Sequence, residues 1–92
     1  MGFAIWKFTL GVTDEQTVHL PYGAAVLHVA VQRGVPCLWA IVDPEAEKEP
    51  RVFLTFGTGH PVPDSPGNYL GSYMLDGGGL VFHVFESTKR TA

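Results

Sequence analysis

Arg51-Val-Phe-Leu-Thr-Phe-Gly-Thr-Gly-His-Pro-Val-Pro-Asp-Ser-Pro-Gly-Asn68 carries a strand, its stop and the approach to the next strand. Val52 to Phe56 alternates with the period of a strand, Val52, Leu54 and Phe56 being assigned inward and Phe53 and Thr55 to the opposite face. Gly57 and Gly59 then free the backbone around Thr58. Pro61 fixes its own φ and disfavours helix at His60. Two more prolines and Gly67 complete a stiff loop before strand character resumes at Tyr69. A chain punctuated in this way is β architecture.

Working outward, the same grammar recurs. Phe3 to Leu10 places Ala4, Trp6, Phe8 and Leu10 on one face and Lys7 and Thr9 on the other, a half-buried strand. Thr17 to Leu20 is a short strand stopped by Pro21-Tyr22-Gly23, a turn in which proline fixes φ and glycine permits its positive values. Ala25 to Gln32 alternates, with Leu27, Val29 and Val31 on one face. Arg33 to Pro36 has hairpin length. Cys37 to Val42 is apolar on both faces, the mark of a central strand covered on both sides. Glu45 to Pro50 is too short to nucleate a helix and reads as a solvated hairpin loop. Tyr69 to Leu75 contains Gly71, a sign of a bulge or a close backbone approach. Asp76-Gly77-Gly78-Gly79 is a tight turn, and Leu80 to Glu86 is the last strand. The expectation is an all-β single domain over 1–92, a small antiparallel sandwich or barrel of six or seven short strands with no long helix. Its ordered core spans about 3–86, followed by a polar tail, 87–92.

The totals exclude several classes. Of 92 residues 46% are hydrophobic and 16% charged, so the chain folds but has few charges for its surface. Self-association into a homo-oligomer is one use for such a surplus. A formal charge of −3 with six Lys plus Arg leaves no basic face for an extended nucleic-acid interface. The single cysteine, Cys37, makes an intramolecular disulfide impossible and reads as a buried thiol. No apolar run reaches membrane-helix length and no signal peptide fits the start, so a membrane is not an expected partner and a reducing cytosol is the expected compartment.

Chemistry concentrates at one point. His19, His28, His60 and His83 show neither H-x-H nor HExxH spacing, so a metal site would have to be assembled by the fold; neither metal nor cofactor is expected. His28 and His83 read as half-exposed strand histidines with one bonded nitrogen each. Consecutive N–H groups around Thr58, Gly59 and His60 could converge on an anion as a nest, with the Thr58 hydroxyl and His60 imidazole beside them. The lysine and helix of a Walker loop are missing. Ser65 and Ser72 have no neighbouring base and no G-x-S-x-G elbow exists, so a non-enzyme is expected. Arg51 and Phe53 on one face of their strand, and Tyr69 and Tyr73 on one face of theirs, are the aromatic and cationic candidates for a ligand or partner.

Leu20-Pro21 with Gly23-Ala24, Cys37-Leu38-Trp39-Ala40, Val42-Asp43-Pro44, Gly57-Thr58-Gly59-His60-Pro61 and Leu80-Val81-Phe82-His83-Val84-Phe85-Glu86 together resemble a family of short proteins encoded mainly by bacteriophages and prophages. The resemblance runs from about Phe3 to Glu86. It implies a viral accessory protein acting in the host bacterial cytoplasm and no particular activity. Such proteins often bind: a host effector, a CRISPR complex, or a nucleotide signal of the host's defences. The first expectation is therefore counter-defence by binding a host protein. The alternatives are a sponge holding a nucleotide at the 57–60 turn, or a virion or structural accessory role.

Overall fold

In the computed structural model, which describes residues 2–88, each apolar alternation becomes a strand. The strands are β1 (Ala4–Thr9), β2 (Glu15–Pro21), β3 (Ala25–Gln32), β4 (Val35–Val42), β5 (Lys48–Gly57), β6 (Asn68–Leu75) and β7 (Leu80–Glu86). They form two antiparallel sheets, β1-β4-β3 and β2-β5-β7-β6. The sheets face one another as a sandwich and do not close into a barrel. The helical content of the described residues is one 3-10 turn, Asp76–Gly78, in the connection from β6 to β7. Leu20, Val29, Leu38, Ala40, Val42, Phe53, Tyr73 and Val84 meet between the sheets as the core. Ala4, Trp6 and Phe8 pack against that core as their alternation requires.

Several local readings are corrected. β5 turns the other way: Phe53 is 0% exposed, whereas Leu54 and Phe56 are on the outer face. Alternation by itself points the wrong way here, because Val52, Leu54 and Phe56 are all apolar whereas the buried face carries Arg51 and Thr55 beside Phe53. Register decides, because Phe53 and Thr55 stand opposite Glu86 and Val84 of β7 and share the face of buried Val84. In β3 a register shift between Val26 and His28 puts Val26 beside Val29 on the core side and leaves Leu27 exposed.

The β3–β4 connection is tighter than expected. Gln32 pairs with Val35, so Arg33 and Gly34 alone form the loop, both with positive φ. β4 is central in its sheet, but Ile41 on its outer face is exposed and Trp39 is half-buried. The second face is therefore uncovered. Cys37 is buried, as expected.

The 45–50 segment is not a hairpin loop. The chain passes from one sheet to the other, and β5 begins at Lys48. Its first half pairs with β2, while β7 joins it from Phe53 onward. Pro50 thus lies where no second strand needs its missing N–H.

Gly71 does both things its place in a strand suggests. The register of β6 on β7 shifts between Tyr69 and Gly71, and a Cβ on Gly71 would lie 3.1 Å from Cβ of Val29. The sheets make their close approach here. Of the expected tail, the Ser87 N–H donates to the Val52 carbonyl at 2.9 Å; residues 89–92 lie outside the described part.

Candidate functional site

The site follows from a connection that β topology forces. β5 and β6 both run antiparallel to β7, which lies between them, so they are parallel to each other. The chain must return from Gly57 to Asn68, a start that stands opposite Glu86 and hence at the level of Phe53. That return needs roughly 13 Å along the strands and 10 Å across them. The connecting residues 58–67 could reach about 33 Å if extended. The surplus is folded into a turn and an arch stiffened by Pro61, Pro63 and Pro66. The arch spans the outer face of the four-stranded sheet and leaves a cleft of about 390 Å³ beneath it.

The turn is Gly57-Thr58-Gly59-His60. The His60 N–H donates to the Gly57 carbonyl at 3.0 Å, and Gly59 at the third position has φ +89. This is a type II turn, which asks for glycine there. The Thr58 N–H donates to the Val81 carbonyl at 3.1 Å. With the Thr58 and His60 N–H groups committed to carbonyls, consecutive donors do not converge and the expected anion nest is not formed. The His60 ring lies against Gly57, where an added Cβ would meet its Nδ1 at 3.0 Å. It also borders a neighbouring depression lined by Asp14 and Thr55. Among the described residues its imidazole makes no hydrogen bond.

Aromatic side chains on the outer sheet face form the apolar part of the cleft. Phe85 stands edge-on to Phe56, centroids 5.7 Å apart, and to Tyr69 at 5.4 Å. Beside them runs a polar row. The Tyr69 hydroxyl is 2.6 Å from Ser72 Oγ, Ser72 Oγ is 2.7 Å from His83 Nδ1, and His83 Nε2 is 2.8 Å from Thr58 Oγ1. Thr58 Oγ1 also lies 3.4 Å from the Val81 carbonyl oxygen.

A neutral imidazole donates through one nitrogen and accepts through the other, so the row admits two continuous proton orders. In the first, Tyr69 donates to Ser72, Ser72 to Nδ1, Nε2–H to Thr58, and Thr58 to the Val81 carbonyl. In the second, Thr58 donates to Nε2, Nδ1–H to Ser72, Ser72 to Tyr69, and the phenol donates outward. In the first order Tyr69 offers the cleft a lone pair, and in the second it offers a proton.

Of the residues singled out by sequence, Thr58, Gly59, His60 and Tyr69 border this cleft. Phe53 and Tyr73 do not: they are core residues, 0% and 3% exposed. Arg51 is also elsewhere. Its Nε and Nη2 donate to the two Glu86 carboxylate oxygens at 2.6 and 2.7 Å, and its Nη1 to the Ala24 carbonyl. The Glu86 hydrogen bond raises the guanidinium pKa above its ordinary value, against the opposing effect of burial.

Phe56, Ser72, His83 and Phe85 were missed. Their signal was present as the i, i+2 spacing of His83 and Phe85 on a strand, but nothing local told the cleft face from the core face. His83 differs from the expected strand histidine in that both its nitrogens are engaged. It shares the cleft with His60, while His28 stacks against Trp39 at 5.9 Å on the other sheet. Among the described residues no three His, Cys, Asp or Glu side chains cluster as a metal site. No helix among them is long and apolar enough to cross a membrane.

Comparison with curated proteins returned no match, and comparison with solved structures returned none. The profile of a domain family of unknown function, DUF7352, matches residues 1–92, and the chain belongs to that family.

Proposed function

We propose that this chain is a non-enzymatic binding protein of phage origin that counters a bacterial defence inside the host, and that it does so by sequestering a small signal molecule in the cleft under the 58–67 arch. The cleft carries this reading. Its volume of about 390 Å³ and its mix of aromatic walls with a few convergent polar groups match small-ligand sites, which run from roughly 300 to 1,000 Å³. Sequence put a host protein first and a nucleotide second. The cleft beside residue 60 favours the second of these, because an aromatic-lined depression with a few polar groups suits a small ligand.

Binding fits the row better than catalysis. Ser72 and His83 are in contact, but the second nitrogen of His83 meets a threonine hydroxyl rather than a carboxylate. Among the described residues no acidic side chain then meets the ring to stabilise an imidazolium, as the third member of a hydrolytic triad does.

Thermal unfolding against a panel of nucleosides, linear nucleotides and cyclic nucleotides tests the reading. A ligand at 100 times its Kd adds about 2.7 kcal/mol to stability. The expected result is a raised melting temperature with at least one member; a panel that shifts nothing refutes the cleft as a small-ligand site.

A second reading rests on the outer face of the three-stranded sheet, where Ile5 and Leu27 are 61% and 53% exposed and Ile41 lies opposite Ile5. That face suits direct binding of a host immune effector such as a CRISPR complex. Ile5→Glu with Leu27→Glu should then abolish protection in an infection assay while leaving the cleft unchanged. Protection that survives both changes removes this second reading.

A further inference from the structure

We infer that the cleft takes its ligand by an uncharged, planar heteroaromatic ring of the nucleobase or nucleoside class, and not by phosphate groups. The inference rests on the cleft being a binding site.

Phosphate recognition draws on cations or free backbone N–H groups. Among the described residues no lysine or arginine lines the cleft. Arg51, on the neighbouring half of β5, is locked to Glu86 and the Ala24 carbonyl, on the face opposite Phe56. The Thr58 and His60 N–H groups are bonded to carbonyls. The formal net charge of −3 makes the long-range field unfavourable to a polyanion. A di- or triphosphate entering here would lose water and gain little.

A flat ring finds what it needs. Phe56, Phe85 and Tyr69 all line the cleft and meet T-shaped, so stacking among themselves does not use up their π faces. Stacking on such surfaces is available to every base, since every base has a π face. The hydrogen-bonding edge of a heterocycle, where donors and acceptors alternate, then meets the polar row. Because that row orders its protons in either direction, Tyr69 offers a donor or an acceptor as the ring requires. A rigid lone donor could not do this. Recognition of this kind is tight for a ring whose edge matches and indifferent to what hangs from its sugar.

The test uses the full chain, isotope-labelled, titrated with adenosine, guanosine, cytidine and uridine and with the 5′-mono- and triphosphates of each, by calorimetry and by amide shifts. At least one nucleoside is expected to bind, moving Tyr69, Ser72 and His83, and its triphosphate is expected to bind no more tightly. Tyr69→Phe, at an exposed position, keeps the fold and is expected to weaken that nucleoside about tenfold, the loss of one hydrogen bond. Phe85→Leu is expected to weaken it at least as much. A triphosphate bound ten times more tightly than its nucleoside overturns the inference and leaves the cleft standing as a site. Titrations in which neither calorimetry nor any amide responds overturn the cleft reading itself.

Discussion

Tyr73 offers a test of the core in which the replacement is expected to stabilise. Its side chain is 3% exposed, its ring tilts against Phe82 at 5.4 Å, and its hydroxyl has no hydrogen-bond partner among the described residues. A buried hydroxyl without a partner costs about 1–3 kcal/mol, because its hydrogen bonds to water are lost and not replaced. Tyr73→Phe removes the hydroxyl and keeps the ring. The expected gain is about 1 kcal/mol, which for a domain of this size raises Tm by about 4–8 °C.

Alkaline titration gives a second readout. Burial raises the Tyr73 phenol above its ordinary value of 10.0. Below pH 10 the phenol is neutral in both the folded and the unfolded chain, so its contribution is constant. Above pH 10 the unfolded phenol loses its proton while the folded one keeps it, and wild-type stability declines with rising pH until the folded phenol ionises too. The remaining tyrosines and the lysines are common to both proteins. The difference between wild type and Tyr73→Phe should therefore grow above pH 10 and be flat below it. Urea melts from pH 7 to pH 11 measure both quantities. A Tyr73→Phe protein less stable than wild type by about 1 kcal/mol would refute the reasoning, since it would mean the hydroxyl is bonded after all.

Three further predictions concern the sheets, their ion pair and the polar row. Gly71→Ala brings a methyl to 3.1 Å from Cβ of Val29 and should cost about 1–3 kcal/mol; pairing it with Val29→Ala should recover part of that loss in chemical denaturation, and strictly additive losses would show that the two positions do not touch. Arg51→Met leaves the half-buried Glu86 carboxylate unpaired and should destabilise by about 2 kcal/mol, between the values for exposed and buried ion pairs. A double-mutant cycle with Glu86→Gln giving no coupling would show the pair to be inert. Ser72→Ala removes the partner of His83 Nδ1 and leaves Thr58 on Nε2, so the ¹⁵N shifts of the imidazole should report a changed tautomer balance; unchanged shifts would show that Ser72 does not order the ring.

The misreadings share a cause. In Val52-Phe53-Leu54-Thr55-Phe56 the wholly apolar face, Val52, Leu54 and Phe56, is the outer one, so a period of two reveals the strand and misstates which side is in. The same ambiguity hid Phe56, His83 and Phe85, which lie on the outer face of adjoining strands and meet through pairing between distant segments. Arg51 looked available because its anchor, Glu86, is far along the chain. The Gly57 to His60 turn is legible in its own residues, and Gly59 has the positive φ that the turn asks for. Its amide groups could not be assigned from sequence, since one of them finds its acceptor on β7.

The strands, the turns between them and the all-β class are written in the local sequence, because period-two apolarity and the φ preferences of glycine and proline act over a few residues. The stiffness of the 57–68 loop is local in the same way. Strand pairing decided the rest: which face of each strand is buried, which sheet each strand joins, and that the loop arches over an aromatic floor holding the Tyr69–Ser72–His83–Thr58 row. Those choices depend on strand order. Placing β7 between two parallel strands obliges the loop to cross the sheet, and the cleft is the space left beneath that crossing.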